Sequence, residues 1–201
     1  MRIARWCRIT PSSVVVDGKA VSVEGTGSLL LKDLYRKFIG DYPKFFKMDT
    51  LCRLGVAGAA LLDSPGEPRE DRAVLIFSAS GPLCNDTHYQ KTISEEDYFP
   101  SPSLFVYTLA NIVTGEISIR NHWKGDTSAF VIPGFDAGEI VASTLSCLAD
   151  PVTRSAICGW AECSGDDSFD LLMVLAARDE GGLPFDAETL DYLYGRTYQE
   201  P

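Results

Sequence analysis

Residues 128–150 have the sequence SAFVIPGFDAGEIVASTLSCLAD, which predicts a strand, a turn and a helix in succession. The short apolar run from Ser128 to Ile132 predicts a strand. Residues 136–149 carry small and apolar residues on every face of the predicted helix, and their charges stand near its ends. A helix that is apolar all round is buried all round, so we expect packed layers on both sides of it.

Strands and helices alternate along the rest of the chain. Apolar runs predict further strands at residues 3–9, 73–77, 155–161 and 168–177. Helical patterns predict helices at residues 29–39, 50–62, 86–93, 108–123 and 186–194. This alternation is typical of an α/β fold with a mainly parallel sheet. Asp17-Gly18, between two valine-rich runs, predicts an N-terminal hairpin. The Gly-, Ser- and Asp-rich link 162–167 predicts a second hairpin, and hence one antiparallel strand at the edge of the sheet.

Size and charge exclude several classes of function. A chain of 201 residues fits one domain with its own core. Its net charge of −10 argues against a nucleic-acid partner, because phosphates are neutralised by a basic face. No apolar run approaches the ~20 residues that cross a bilayer, and the N-terminus lacks the apolar stretch of a signal peptide. We therefore expect a cytoplasmic protein with no membrane span.

Cysteines and histidines show no ligand pattern. The two histidines, His88 and His122, lie far apart, and no pair of residues has the spacing of a zinc site. Scattered cysteines in a chain of this size predict free thiols rather than disulfides; they are Cys7, Cys52, Cys84, Cys147, Cys158 and Cys163. We accordingly expect neither a metal nor a cofactor.

Positive charge is concentrated near the N-terminus. Residues 1–60 hold 10 Lys/Arg and 5 Asp/Glu, whereas residues 61–201 hold 8 and 23. Such a segment is either solvated surface or a docking site for an acidic partner. The candidate docking residues are Lys32, Arg36, Lys37, Lys44, Lys47 and Arg53.

Two segments carry a resemblance to a known family. Residues 105–119 read FVYTLANIVTGEISI and are followed by Gly125, and residues 159–162 read GWAE. In this order they resemble the N-terminal half of β-ketoacyl synthases of the thiolase-like superfamily. The resemblance covers residues 105–165, and residues 48–80 more loosely. It implies half of a thiolase-like fold: a five-stranded mixed sheet with one antiparallel edge strand and a buried helix at about 136–149.

The resemblance also implies a division of the chain. One domain would span residues 1–201. It would comprise a hairpin and helix elaboration at 1–47, the half-thiolase core at 48–180, and a C-terminal helix and tail at 181–201.

The position of the family's nucleophile is the main departure. In ketosynthases a cysteine stands between the strand and the buried helix, where this chain has Gly134 or Phe135, depending on a one-residue gap. Neither residue can form the thioester that holds the acyl chain during condensation. The family's histidine-bearing second half has no counterpart, and His122, at the predicted end of a helix, is interpreted as a feature of that helix end. We therefore expect no catalytic residue at this position.

A different chemistry would use Cys84 and His88. Four residues apart on a helix they share a face, and a Cys/His dyad can activate a nucleophile for acyl transfer or hydrolysis. If Cys84 instead precedes the helix, the dyad fails.

By resemblance, stand-alone proteins of this kind occur in bacterial aryl-polyene or flexirubin-type clusters. The leading expectation is a non-catalytic accessory subunit in fatty-acid or polyketide biosynthesis. Its partner would be an acyl carrier protein, a full-length ketosynthase or a second copy of itself. The strand at 128–132 should lie at the sheet edge, where family dimers join, so a homodimer or heterodimer is expected. Alternatively, the N-terminal hairpin and the helix at 29–39 fold back over the uncovered face.

Overall fold

A mixed β-sheet is the frame of the molecule. The computed structural model describes residues 1–63, 66, 69–94, 98–178 and 181–195, so the predicted tail at 196–201 lies outside the described residues. Within the described chain the sheet has eight strands. They are β1 (Arg2–Thr10), β2 (Ser13–Val16), β3 (Lys19–Ala20), β4 (Arg72–Ser78), β5 (Thr127–Val131), β6 (Ser155–Gly165), β7 (Ser168–Ala177) and β8 (Leu183–Pro184).

The strand order is β3-β2-β1-β7-β6-β4-β5, and β8 pairs with β1. β4 lies parallel to β5 and β6, and the remaining pairs are antiparallel. The predicted α/β class with a mixed sheet is confirmed, but the sheet exceeds the five strands expected. The antiparallel strand β7 also lies inside the sheet rather than at its edge, because β1 pairs along its other side.

The helices are shorter than predicted in two places. Residues 29–39 divide into an α-helix and a π-helical turn at Tyr35–Ile39. The helix predicted at 108–123 begins only at Ile112, because residues 102–106 form a separate helix capped by the Ser101 hydroxyl. The helices are α1 (Ser28–Leu34), α2 (Thr50–Leu62), α3 (Leu83–Gln90), α4 (Pro102–Val106), α5 (Ile112–Asn121), α6 (Ala137–Cys147) and α7 (Ala187–Gly195). None of these is long and apolar enough to cross a bilayer.

The buried helix is α2. Its N-cap, Asp49, accepts a hydrogen bond from the Cys52 amide at 3.1 Å, and nearly all of its side chains are buried. Two glycines allow this close packing: a methyl group on Gly55 would lie 2.6 Å from Val113, and one on Gly58 would lie 3.0 Å from Leu171. α2 is thus held between the sheet and α5, in the layer that also contains α1.

The prediction of a buried helix at 136–149 is wrong for this chain. α6 packs on the opposite face of the sheet together with α7, and only Ala137, Ile140 and Thr144 are buried along it. Leu145 on its outer face is 42% exposed. The alternative in which the N-terminal hairpin and helix cover this face is also wrong, because α1 packs against α2 on the far side of the sheet. The second layer that the apolar pattern of α6 requires does not come from the described part of this chain.

Candidate functional site

The turn between β5 and α6 holds aromatic packing at the expected nucleophile position. The Phe135 ring stacks on the Tyr194 ring, with centroids 3.8 Å apart, and meets the Trp160 ring edge-on at 6.1 Å. Gly134 is half-buried, and a methyl group there would have no neighbour within 4 Å. Phe135 is therefore a packing residue that joins the turn to α7.

A carboxylate occupies the start of α6. Asp136 is the N-cap and accepts a hydrogen bond from the Glu139 amide at 2.9 Å. The free N–H groups at a helix N-terminus lower the pKa of a cysteine placed there, but here they bind the Asp136 side chain instead. A cavity of about 430 Å³ adjoins the turn. The described residues that line it carry no thiol, hydroxyl or imidazole; they are Ile132, Pro133, Gly134, Phe135, Asp136 and Glu139.

A second candidate site is a cleft of about 350 Å³ at the start of α3, here called the α3 cleft. Cys84 and His88 both lie in α3 and line it together, so the helix geometry that the dyad requires is present. The Cys84 Sγ lies 3.8 Å from Asp166 Oδ1, and the His88 Nε2 lies 3.7 Å from Asp166 Oδ2. The Asp166 carboxylate therefore stands between the two side chains.

The loop before α3 is fixed by Glu162, the last residue of the GWAE segment. Its carboxylate accepts hydrogen bonds from the amides of Ala79 at 2.6 Å and Ser80 at 3.2 Å, and from the Ser80 hydroxyl. These bonds tie the end of β4 to β6. They place α3, and with it Cys84, beside the β6–β7 turn that carries Asp166.

The electrostatics of the α3 cleft disfavour a free thiolate. Partial burial, and next the Asp166 carboxylate, raise the pKa of the Cys84 thiol. Burial also raises the pKa of the neighbouring Cys163 to about 12. Since the thiolate is the nucleophilic form, Cys84 is a poor nucleophile at neutral pH in the absence of a positive partner.

The candidate docking residues fall into three groups. Lys32, Lys47 and Arg53 line the α3 cleft. Lys37 and Lys44 form internal ion pairs, each at 2.8 Å, with the buried carboxylates of Asp33 and Glu116. Arg36 is exposed on the turn after α1. The structure thus brings three of the six cations together.

Asp166 could not be assigned to this cluster from the sequence, because 82 residues separate it from Cys84. The Asp166-Asp167 pair in the predicted hairpin link was the available signal, and register alone decides which carboxylate faces α3. His122 is the C-cap of α5 in a left-handed conformation, as expected of a helix end.

Comparison with solved structures identifies the fold. A structure described as the ishigamide ketosynthase/chain length factor is 14% identical and superposes with a TM-score of 0.61, covering 89% of this chain. A chain of the complex of ketosynthase ApeO with its chain length factor ApeC from Xenorhabdus doucetiae is 15% identical and superposes with a TM-score of 0.59, covering 97% of this chain. A third structure, AntDE:AntF, is described as a type II polyketide synthase acyl-carrier protein in complex with its ketosynthase bound to the hexaketide. Its matched chain is 11% identical and superposes with a TM-score of 0.59, covering 88% of this chain. The chain has a ketosynthase-like fold.

The shares of each matched chain differ. The ketosynthase-like fold spans only 62% of the matched chain in the first and third structures. This chain spans 91% of the matched chain in the ApeO and ApeC complex, so that matched chain is similar in length to this one. No family model and no curated protein matches the sequence.

Proposed function

We propose that this chain is a non-catalytic, ketosynthase-like accessory subunit that pairs with a full-length ketosynthase in polyketide or fatty-acid biosynthesis of the aryl-polyene type. The open edge of the sheet at β5 carries this proposal. β5 is the last strand in the order and pairs only with β4 among the described residues. An open strand edge offers unpaired N–H and C=O groups, and native proteins cover such edges.

Apolar side chains extend this edge into a surface. Val131, at the end of β5, is 59% exposed. A methyl group on Gly81 would lie 3.6 Å from Val131 and 3.8 Å from Ala110, so the segment containing Ala110 adjoins the strand. Phe105 and Leu109 of this segment are each 52% exposed. We name Val131, Phe105, Leu109 and Ala110 the edge patch, and it fits the apolar centre of a permanent interface.

The absence of a nucleophile at the turn supports a non-catalytic role. Condensation begins when a thiolate accepts the acyl chain, and the turn instead presents Gly134, a packed Phe135 and a helix end capped by Asp136. A cytoplasmic location agrees with the six free cysteines, since a reducing compartment keeps thiols unpaired. The match to a chain of similar length from a complex of a ketosynthase with its chain length factor supports pairing with a ketosynthase.

Intact mass spectrometry tests the non-catalytic role. The chain is incubated with an acyl thioester and with acylated carrier protein, beside a ketosynthase that has its cysteine. We expect an adduct on the ketosynthase alone. A stoichiometric acyl adduct on this chain would overturn the non-catalytic assignment. In that case the same measurement on Cys84→Ser would show whether Cys84 carries the acyl group.

The acyl carrier protein is a second proposed partner, with a narrower docking site than the sequence indicates. Lys44 and Lys37 pair internally, so their replacement would disturb folding as well as docking. Lys32, Lys47 and Arg53 line one cleft and are better placed to meet an acidic partner. An NMR titration with carrier protein should show weak binding that falls with salt and is lost in Lys32→Glu/Lys47→Glu. The control is Lys19→Glu on β3, and unchanged binding in the double variant would refute this docking site.

A further inference from the structure

The α3 cleft gathers three metal-ligating side chains that the ketosynthase-like function does not use. The Sγ of Cys84, the imidazole nitrogen of His88 and the carboxylate oxygen of Asp166 all lie within 4.8 Å of one another. We propose that these three residues bind Zn²⁺. The sequence predicted no metal site, because Asp166 joins the other two only through the fold.

The distances approach those of a tetrahedral zinc site. Zn–S bonds of about 2.3 Å and Zn–N or Zn–O bonds of about 2.0 Å place tetrahedral ligands roughly 3.3–3.5 Å apart. The Cys84 Sγ lies 3.8 Å from Asp166 Oδ1 and the His88 Nε2 lies 3.7 Å from Asp166 Oδ2, and the Cys84 and His88 ligand atoms lie within 4.8 Å of each other. The His88 and Asp166 side chains are 41% and 54% exposed, so rotation of these two side chains would bring the three ligand atoms to bonding distance of one ion.

Neighbouring residues hold the ligands in place. Cys84 and His88 stand one turn apart on α3, on the same face of the helix. The Thr50 hydroxyl donates to Asp166 Oδ1 at 3.0 Å, and Arg53 donates to that hydroxyl at 3.1 Å. Hydrogen bonds of this kind to a metal ligand orient the ligand and are part of most metal sites.

The charges of the ligands also fit a divalent ion. On binding, the Cys84 thiol releases its proton to solvent, and the resulting thiolate and the Asp166 carboxylate together neutralise Zn²⁺. Three protein ligands leave a fourth position open to water or an anion. That position adjoins the α3 cleft, whose lining includes Lys47 and Arg53.

A cobalt titration of the chelator-treated full chain tests the site. Co²⁺ is used because its thiolate complexes absorb in the near ultraviolet and its tetrahedral complexes absorb in the visible. We expect one equivalent to give both bands, and Zn²⁺ to abolish them by displacement, since Zn²⁺ binds more tightly. Absence of the thiolate band in the wild-type chain, or bands that resist Zn²⁺, would overturn the proposal.

Matched variants locate the ions. Cys84→Ser should lose the thiolate band, and His88→Ala should weaken binding about tenfold or more. Cys147→Ser and His122→Ala remove a half-buried thiol and a histidine outside the cluster, and should bind as the wild type does. A thiolate band that survives Cys84→Ser would refute the site. Circular dichroism confirms folding, and His88→Ala remains decisive if Cys84→Ser does not fold. The metal site is independent of pairing through β5, so its failure leaves that pairing standing.

Discussion

Replacing Val131 with aspartate perturbs the proposed interface without disturbing the core. Val131 is 59% exposed, so Val131→Asp should lower the free energy of unfolding of the isolated chain by only about 1 kcal/mol. Fully burying a valine side chain contributes roughly 1.5–3 kcal/mol, and the exposed share leaves about 1–2 kcal/mol for the partner to bury. An unpaired carboxylate in an apolar interface costs several kcal/mol more. Association should therefore weaken by over 3 kcal/mol, or more than about 100-fold.

Sedimentation velocity and calorimetry with a full-length ketosynthase measure this loss. Val152→Asp is the matched control, because Val152 is 64% exposed and precedes β6 at the opposite end of the parallel strands. We expect the control to associate as the wild type does. Equal affinity for Val131→Asp and wild type, with both folded, would refute docking through the β5 edge. Equal weakening by both substitutions would refute it as well.

Three further predictions concern the isolated chain. Gly159→Ala should lower the free energy of unfolding in urea by about 1–3 kcal/mol or more, because Gly159 has φ +151° and a methyl group would lie 2.1 Å from a facing carbonyl oxygen. The control Gly134→Ala has open space around the new methyl group and should leave the free energy of unfolding nearly unchanged. Equal effects of the two substitutions would contradict this packing. Metal-free Cys84, whose pKa is raised, should react with iodoacetamide more slowly than in the unfolded chain at pH 7 and gain rate as the pH rises; fast alkylation at pH 7 would show the opposite shift. The Lys37 ammonium lowers the pKa of Asp33 in the folded chain. The stability that this ion pair contributes is therefore present above about pH 4 and is lost as the pH falls further. Asp33→Asn should make the free energy of unfolding fall less steeply with acid, and an unchanged acid dependence would argue against the ion pair.

Local patterns predicted most of the elements, and long-range packing decided the rest. The turn at Asp17-Gly18 depends only on neighbouring residues, and the predicted N-terminal hairpin is confirmed. The buried helix could not be assigned, because α2 and α6 are both rich in small apolar residues. α5 covers α2, whereas the outer face of α6 stays open. No local sequence pattern predicts which of the two helices is covered on its outer face by another helix.

The two candidate sites differ in the same way. The strand, turn and helix around Gly134 and Phe135 follow one another directly in the sequence, so the structure of this turn could be predicted from local patterns. The cluster in the α3 cleft depends on the register of the β6–β7 hairpin, which brings Asp166 to α3 across 82 residues of sequence. That register is set by cross-strand packing and not by the residues of the turn alone.

Native mass spectrometry of this chain, co-expressed with a full-length ketosynthase, shows directly whether the two chains pair. We expect a complex that contains both chains and is lost with Val131→Asp. If this chain appears only as a monomer while the ketosynthase pairs with itself, the proposed pairing through β5 is refuted.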